Sequence, residues 1–393
     1  MKVVVVGAGI VGGFVSYYAK KAGHDVTIID KSPEAGRTSK SSAGLIVRAS
    51  APEPPVSMLK VLATCLGGQG FVYLSPREML RHRSWLFGAL RKQSATCEKA
   101  VIELAGKSLD LYREFFREEA VKVDSIKGLT ELYVNGELAR ETALSMDGRF
   151  LGRADVSSLG FKNFGGGAEF VEELSIDPGQ LFGELRELLT EKGVVSLVGE
   201  ARLARKQGSC DVLVDETKVP ADAVVVAAGA WSGELCRTLG YDPLILPARG
   251  LATIFDTGGS RILESPAIFE DYGVAIAQHD QNTLRATSFF ELVGFDADYG
   301  ERRKSWTLKV LEKHVARFSE LKLVKTLVGH RPCTPDRLPV IGKVPGYDNL
   351  YISSGHCRIG ITLAPASGYL ISNMLEKKQV PLDAGCFNPS RFH

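Results

Sequence analysis

Three glycines and one aspartate near the start of the chain have the types and spacing to hold a dinucleotide. Gly7, Gly9 and Gly12 form GAGIVG, and Asp30 closes DVTIID. In such a pattern the first glycine permits a tight turn, the second lets the backbone approach a pyrophosphate, and the third lets the helix pack closely. Ile10 and Val11 open that helix, where free N–H groups and the helix dipole favour an anion. Asp30, followed by Lys31, stands where a carboxylate bonds a ribose diol and repels a 2′-phosphate, which disfavours NADP.

The elements that must position these residues can be read around them. Val3 to Val6 is a β-branched run, expected as a strand buried on both faces of a parallel sheet. Val11 to Lys21 reads as a helix, Ala22-Gly23-His24 as its stop, and DVTIID as the next strand. The opening MKVVVVGAGIVGG also has the charged start and apolar body of an export signal, but that reading leaves DVTIID unexplained. Ser16 and Lys20-Lys21 cut the apolar stretch short of the ~20 residues that a membrane span needs. Cytoplasm is therefore the expected location, with docking on the cytoplasmic face of a membrane left open.

Length and charge narrow the partners. A chain of 393 residues exceeds the size at which one apolar core usually stops growing, so two lobes are expected. Forty-eight basic against 46 acidic residues give a net charge of +2 without long runs of one sign, which speaks against nucleic acid and for a small-molecule partner. A homo-oligomer is compatible with this composition. The seven cysteines, at 65, 97, 210, 236, 333, 357 and 386, form no CxxC pair and no cluster with histidine. That pattern argues against a metal site and a disulfide framework, so free intracellular thiols are expected.

Further along, residues 212–233 read as a hairpin and a buried strand, Ala223 to Ala227, with no second GxGxxG after it. One bound dinucleotide that reacts directly with substrate is the simplest reading. SIDPGQLFGELRELL reads as a helix capped by Asp177 and Pro178, leading to another strand of the same sheet. Residues 52–150 carry the proline-rich APEPP and two amphipathic helices, about 76–92 and 95–119. Residues 243–325 alternate as in an antiparallel sheet, with a helix near 305–317. NLYISSG is a strand, and from about Leu363 the pattern is helical, which makes GHCRIGIT a strand-to-helix loop. The fold class is α/β, α+β overall: a Rossmann-like dinucleotide-binding domain from 1–50, 151–240 and 326–393, interwoven with a substrate domain, 51–150 and 241–325, of antiparallel sheet plus helices.

These motifs together carry a resemblance. GAGIVG with SSAGLI some thirty residues on, the middle DP and AAGAW, ELVGFD, RPCTPDRLPVIG and GHCRIGITLAPASG resemble the FAD-dependent D-amino-acid oxidase superfamily over nearly the whole chain. Within it the likeness is strongest to bacterial-type D-amino-acid dehydrogenases, through ELVGFD and TPDRLPVIG, then to glycine and sarcosine oxidases.

The resemblance implies non-covalent FAD. Gly7, Gly9 and Gly12 would hold its pyrophosphate, Asp30 the adenosine ribose and Ala201 the adenine. Ser41, Ser42, Ala43, Gly44 and Leu45 would run past the flavin, and Ala228, Gly229 and Trp231 match a small-residue flavin contact. Gly355, His356, Arg358, Ile359, Gly360, Ile361 and Thr362 belong to the loop that wraps the isoalloxazine ring. Arg331 corresponds to the arginine that grips the substrate carboxylate, and Arg358 to a second arginine near it. His330 departs from the apolar or aromatic residue common in relatives. Some sarcosine oxidases attach flavin through a cysteine near Cys333, but Cys333 falls a few positions beyond that point and is expected as a packed free thiol.

Chemistry makes the same demands. Oxidation at the Cα of an amino acid needs a hydride acceptor held against the Cα–H bond and a fixed cation on the carboxylate. A planar guanidinium meets a carboxylate bidentately, and a helix N-terminus near Thr362 suits charge on the reduced flavin. Tyr272 and Arg285 would line the pocket or face solvent, since alternation alone does not choose a face. Arg249 in PARG and the Trp85-Leu86-Phe87 stripe are open in the same way. The expected activity is oxidative deamination of a D-amino acid of the D-alanine or D-proline type, with electrons passed to a quinone or dye-like acceptor. An oxygen-using glycine, sarcosine or proline-type oxidase and a non-catalytic relay subunit are the alternatives.

Overall fold

The structure is a computed structural model that describes residues 1–47, 70–90, 94–378 and 384–392. APEPP, Cys65 and the end of the helix expected over 76–92 lie outside the described residues.

The valine run forms the strand Lys2–Val6, fourth in a six-stranded sheet. Its neighbours are Ala223–Val226 and Asp25–Asp30, both parallel to it. Leu350–Ser354 and Val195–Val198 extend the sheet in parallel on either side, and Val340–Lys343 closes one edge antiparallel. A continuous apolar run fits because both faces are covered. Val3 and Val5 enter one apolar core with Phe14, Tyr112 and Leu370, while Val4 and Val6 enter another with Val212, Cys236 and Tyr241.

The helix Ile10–Lys21 follows the glycine turn. Phe14 on it meets Tyr112 and Phe115 edge-on at 5.4 and 5.1 Å, joining it to the long helix Ala95–Glu118, whose start is capped by Ser94. The helix Pro178–Glu191 begins as expected, with Asp177 accepting from the N–H groups of Gly179 and Gln180 and Pro178 in the first turn. The helix expected over 76–92 is broken at His82 into Pro76–Arg81 and Arg83–Ala89. Among the described residues no helix is long and apolar enough to cross a membrane.

A second, larger sheet runs in the order Lys322–Cys333, Leu246–Asp256, Thr283–Leu292, Val274–Ala277, Ala267–Phe269, Ser125–Tyr133, Gly166–Ile176, Leu45–Ile46. It is antiparallel apart from Ala267–Phe269 on Ser125–Tyr133 and the short Val72–Leu74 on Thr283–Leu292. Two of its strands come from near the boundaries read from sequence at residues 151 and 326. Gly166–Ile176 and Lys322–Cys333 belong to the large sheet, because the apolar pattern of a strand shows that it pairs and not with which sheet it pairs.

The cysteine expectation is also corrected. Cys97 is bonded to Cys386, and Cys333 to Cys357; Cys210 and Cys236 are buried free thiols. Separations of 289 and 24 residues leave no local spacing signature from which either pair could be read.

Candidate functional site

A cavity of about 2360 Å³ is lined by residues of both sheets. At its nucleotide-like part the strand Lys2–Val6 turns through Gly7, at φ +108°, a left-handed conformation that favours glycine. A Cβ on Gly12 would lie 1.8 Å from the Gly7 carbonyl oxygen, so strand end and helix start touch through backbone alone. Gly9, Ile10 and Val11 face the cavity, while Gly12 supports the turn from behind.

Asp30 lines the same region. One carboxylate oxygen accepts from the Ala8 N–H at 2.8 Å and the other from the Ser32 N–H at 3.0 Å, which fixes the acid beside the glycine turn. Lys31 places its ammonium 4.0 Å from the centre of the Trp231 ring. Trp231 stacks on Phe295 at 4.8 Å and touches the His330 ring edge-on. Ala201, Ala228 and Gly229 also line the cavity.

The wall between the two sheets is tied by short polar contacts. Ser41, Ser42, Ala43 and Leu45 face the cavity, and Gly44 passes so close to the Ile176 carbonyl that a Cβ would lie 1.9 Å from its oxygen. Thr362 donates to the Leu45 carbonyl at 3.3 Å and accepts from the Val47 N–H at 3.2 Å, while Tyr112 donates to the Ile361 carbonyl at 2.7 Å. These bonds seat the start of the helix Gly360–Leu375 beside that wall. Ile359, Gly360 and Ile361 reach the cavity, whereas Gly355 and Thr362 support it from outside. His356 is buried, bonded through Nε2 to the Ser367 hydroxyl at 2.8 Å, and burial pushes its pKa down to about 3. It is neutral at ordinary pH.

Arg331 and Arg358 both line the cavity. The Arg331 guanidinium donates from Nη1 to the Phe289 carbonyl at 2.8 Å. Burial first, and the neighbouring Arg358 second, lower its pKa to about 10, so it remains a cation at neutral pH. Phe289 lies in a bulge: Arg249 pairs with Glu291 but Leu251 with Ser288, and Phe289 adopts φ +65°. Bulges are frequent beside active sites because they re-aim local groups. Gly250, across the bulge, lies under the guanidinium. Neither Phe289 nor Gly250 was singled out in the sequence, where a bulge leaves no mark of its own.

Other expected residues take different places. Tyr272, expected in a strand, sits in the short 3₁₀ turn Glu270–Tyr272: its hydroxyl accepts from Lys313 at 3.1 Å and its ring packs on His314, half-buried against an apolar core and off the cavity, because the chain leaves the strand there and alternation no longer applies. Arg285 does reach the cavity and donates to the Lys40 carbonyl. Arg249 is a buried partner of Glu291, at 2.8 Å, and Asp296, at 3.2 Å, which gives ELVGFD a structural task. His330 lines the cavity with Nε2 3.3 Å from the Asp296 carbonyl, and burial lowers its pKa. Trp85 and Leu86 line the cavity, while Phe87 is exposed. Cys333 is disulfide-bonded, not the packed free thiol expected.

A glycine turn, its companion acid and a large cavity lined by Arg331 and Arg358 define a dinucleotide-dependent enzyme of the Rossmann-like class. The model of the FAD dependent oxidoreductase family, DAO, matches residues 2–374, and the chain belongs to that family. FAD is its cofactor, and the glycine cradle and the cavity fit such a dinucleotide. Three solved structures share the fold. Iminodiacetate oxidase from Chelativorans sp. BNC1 superposes with a TM-score of 0.79 at 18% identity, covering 98% of each chain. Glycine oxidase from Geobacillus kaustophilus gives 0.78 at 19%, covering 99% of this chain and 98% of that one. L-proline dehydrogenase from P. horikoshii gives 0.79 at 16%, covering 100% and 97%.

Proposed function

We propose that this FAD-dependent oxidoreductase oxidises an amino acid at the carbon bearing its amine. The observation that carries the reading is Arg331, a partly buried cation on the cavity wall that gives one of its five N–H groups to the Phe289 carbonyl, the one partner it has among the described residues. Gly7 to Gly12 would hold the pyrophosphate of FAD, Asp30 the ribose, Ala201 the adenine, and Ala43, Leu45 and the 355–362 loop the flavin ring. FAD, when bound, supplies the two-electron acceptor.

The protein's own share is binding and exclusion. Arg331 fixes the carboxylate bidentately, with Arg358 adding positive charge beside it. Leu74, Trp85 and Phe290 line the cavity, and apolar walls of this kind strengthen the ion pair by keeping water out. His330 and His356 are held toward their neutral forms by burial, so they add no further cation near a substrate amine. That amine gives up a proton to solvent, the Cα hydrogen leaves with its two electrons for the acceptor that FAD would supply, and the resulting imine takes up water to give a 2-oxo acid and ammonia or an amine.

The finer reading is a small or cyclic D-amino acid such as D-alanine or D-proline, with a quinone or dye-like acceptor. It is supported by the likeness of ELVGFD and TPDRLPVIG to D-amino-acid dehydrogenases. The names of the similar structures, which include glycine oxidase and L-proline dehydrogenase, fit a compact carboxylate-bearing amine of either hand. Arg331→Ala tests the site: it should raise KM by roughly 10–150-fold for an amino acid, as expected for about 1.5–3 kcal/mol lost from a charged hydrogen bond, and much less for the plain amine. Equal loss for both would remove Arg331 from the carboxylate.

A further inference from the structure

Cys333 lies two residues after Arg331, and Cys357 immediately precedes Arg358. The disulfide between them therefore fastens the end of the strand Lys322–Cys333 to the GHCRIG loop within one or two residues of both guanidinium groups. Burial is the main cause of the lowered Arg331 pKa and Arg358 the second, so the two cations are near enough to repel and the backbone that carries them must be held against that repulsion. Two backbone contacts contribute: the Cys357 N–H donates to the Pro332 carbonyl at 2.7 Å, and Cys333 bridges His356 in antiparallel fashion. Cys357 itself sits at φ +48°, a conformation L-residues with side chains seldom adopt. Trp85, which lines the cavity, donates from Nε1 to the Cys333 carbonyl at 3.0 Å. Cys333 is fully buried, but Cys357 lines the cavity, so a small thiol has a route to the bond.

We propose that the Cys333–Cys357 disulfide is a redox-controlled positioning device, which keeps Arg331 and Arg358 convergent when closed and lowers the affinity for carboxylate when opened. The proposal rests on the reading of Arg331 as the carboxylate anchor. Opening consumes a dithiol: two electrons and two protons pass to the protein, giving two cysteine thiols, and the reductant leaves as its own disulfide. Without the covalent tie, the left-handed residue before Arg358 is free to relax, and the repelling guanidinium groups separate.

The test uses the FAD-loaded protein, anaerobic dithiothreitol, mass-resolved thiol labelling and propionate, a small carboxylate with no amine to oxidise. As isolated, Cys333 and Cys357 should resist labelling. Once they label, propionate should bind about tenfold or more weakly by perturbation of the flavin spectrum, and reoxidation should restore its affinity. In turnover, KM should rise with kcat within about twofold. The Cys333→Ser/Cys357→Ser double variant should match the reduced protein, whereas Cys97→Ser, which opens only the remote bond to Cys386, should bind propionate as the wild type does. Labelling of Cys333 and Cys357 without change in propionate affinity would overturn the proposal, as would free thiols at both positions in the isolated protein. Propionate binding that is indifferent to Arg331→Ala would bring down the carboxylate reading itself, and the proposal with it.

Discussion

The Arg331 guanidinium lies flat against the backbone of Gly250: a Cβ added there would stand 2.1 Å from Nη1 and 2.5 Å from Cζ. Gly250 is not in a left-handed conformation, so alanine suits its backbone and only the guanidinium must yield. Gly250→Ala should therefore leave the thermal midpoint near that of the wild type while raising KM for the amino acid by roughly tenfold or more, since an ångström of misplacement can cost on the order of a hundredfold. An unchanged KM, measured alongside the melting curve, would mean that Arg331 does not need this seat.

The glycine cradle makes a sharper demand. At Gly12 the clash of an added Cβ is with the Gly7 carbonyl oxygen at 1.8 Å, a backbone atom that cannot swing aside. Gly12→Ala should give protein with little flavin per chain, read from the ratio of visible to ultraviolet absorbance after gel filtration. Full flavin occupancy in that variant would place the pyrophosphate elsewhere.

Arg331 also sets a pH dependence. Its pKa is lowered to about 10, chiefly by burial, so the free site is cationic below that pH and neutral above it. Affinity for a non-oxidisable carboxylate such as propionate should be flat from pH 7 to about 9, then fall by up to tenfold per pH unit beyond about 10, as one bound proton is required. Affinity that holds steady to pH 11 would assign the carboxylate to a different cation.

What the sequence disclosed follows from how local each signal is. Gly7, Gly9, Gly12 and Asp30 lie within one strand–helix–strand unit, so their dinucleotide site could be argued from spacing alone, whereas Arg331 and Arg358, some 320–350 residues further on, were tied to it only through the family resemblance of their motifs. Tyr272 could not be placed, because it falls in a short 3₁₀ turn between two strands, where the alternation read across that segment does not apply. The Cys333–Cys357 bond joins a strand end to a loop whose encounter depends on two sheets meeting. Gly250 and Phe289 depend on a bulge between strands that are some forty residues apart in the chain. Long-range pairings of this kind leave no spacing to read.

The central claim, that an amino acid delivers its electrons to the bound FAD, is tested most directly by mixing the yellow protein anaerobically with D- and L-alanine, D- and L-proline, glycine and sarcosine. The account predicts that the visible flavin absorbance bleaches with at least one of them, a D-amino acid first, and returns slowly when air is admitted but quickly with a quinone or dye. Rapid recovery in air would make the enzyme an oxidase, and a response to L-proline alone would reverse the assigned hand. Flavin that stays fully oxidised with every amino acid would contradict the account.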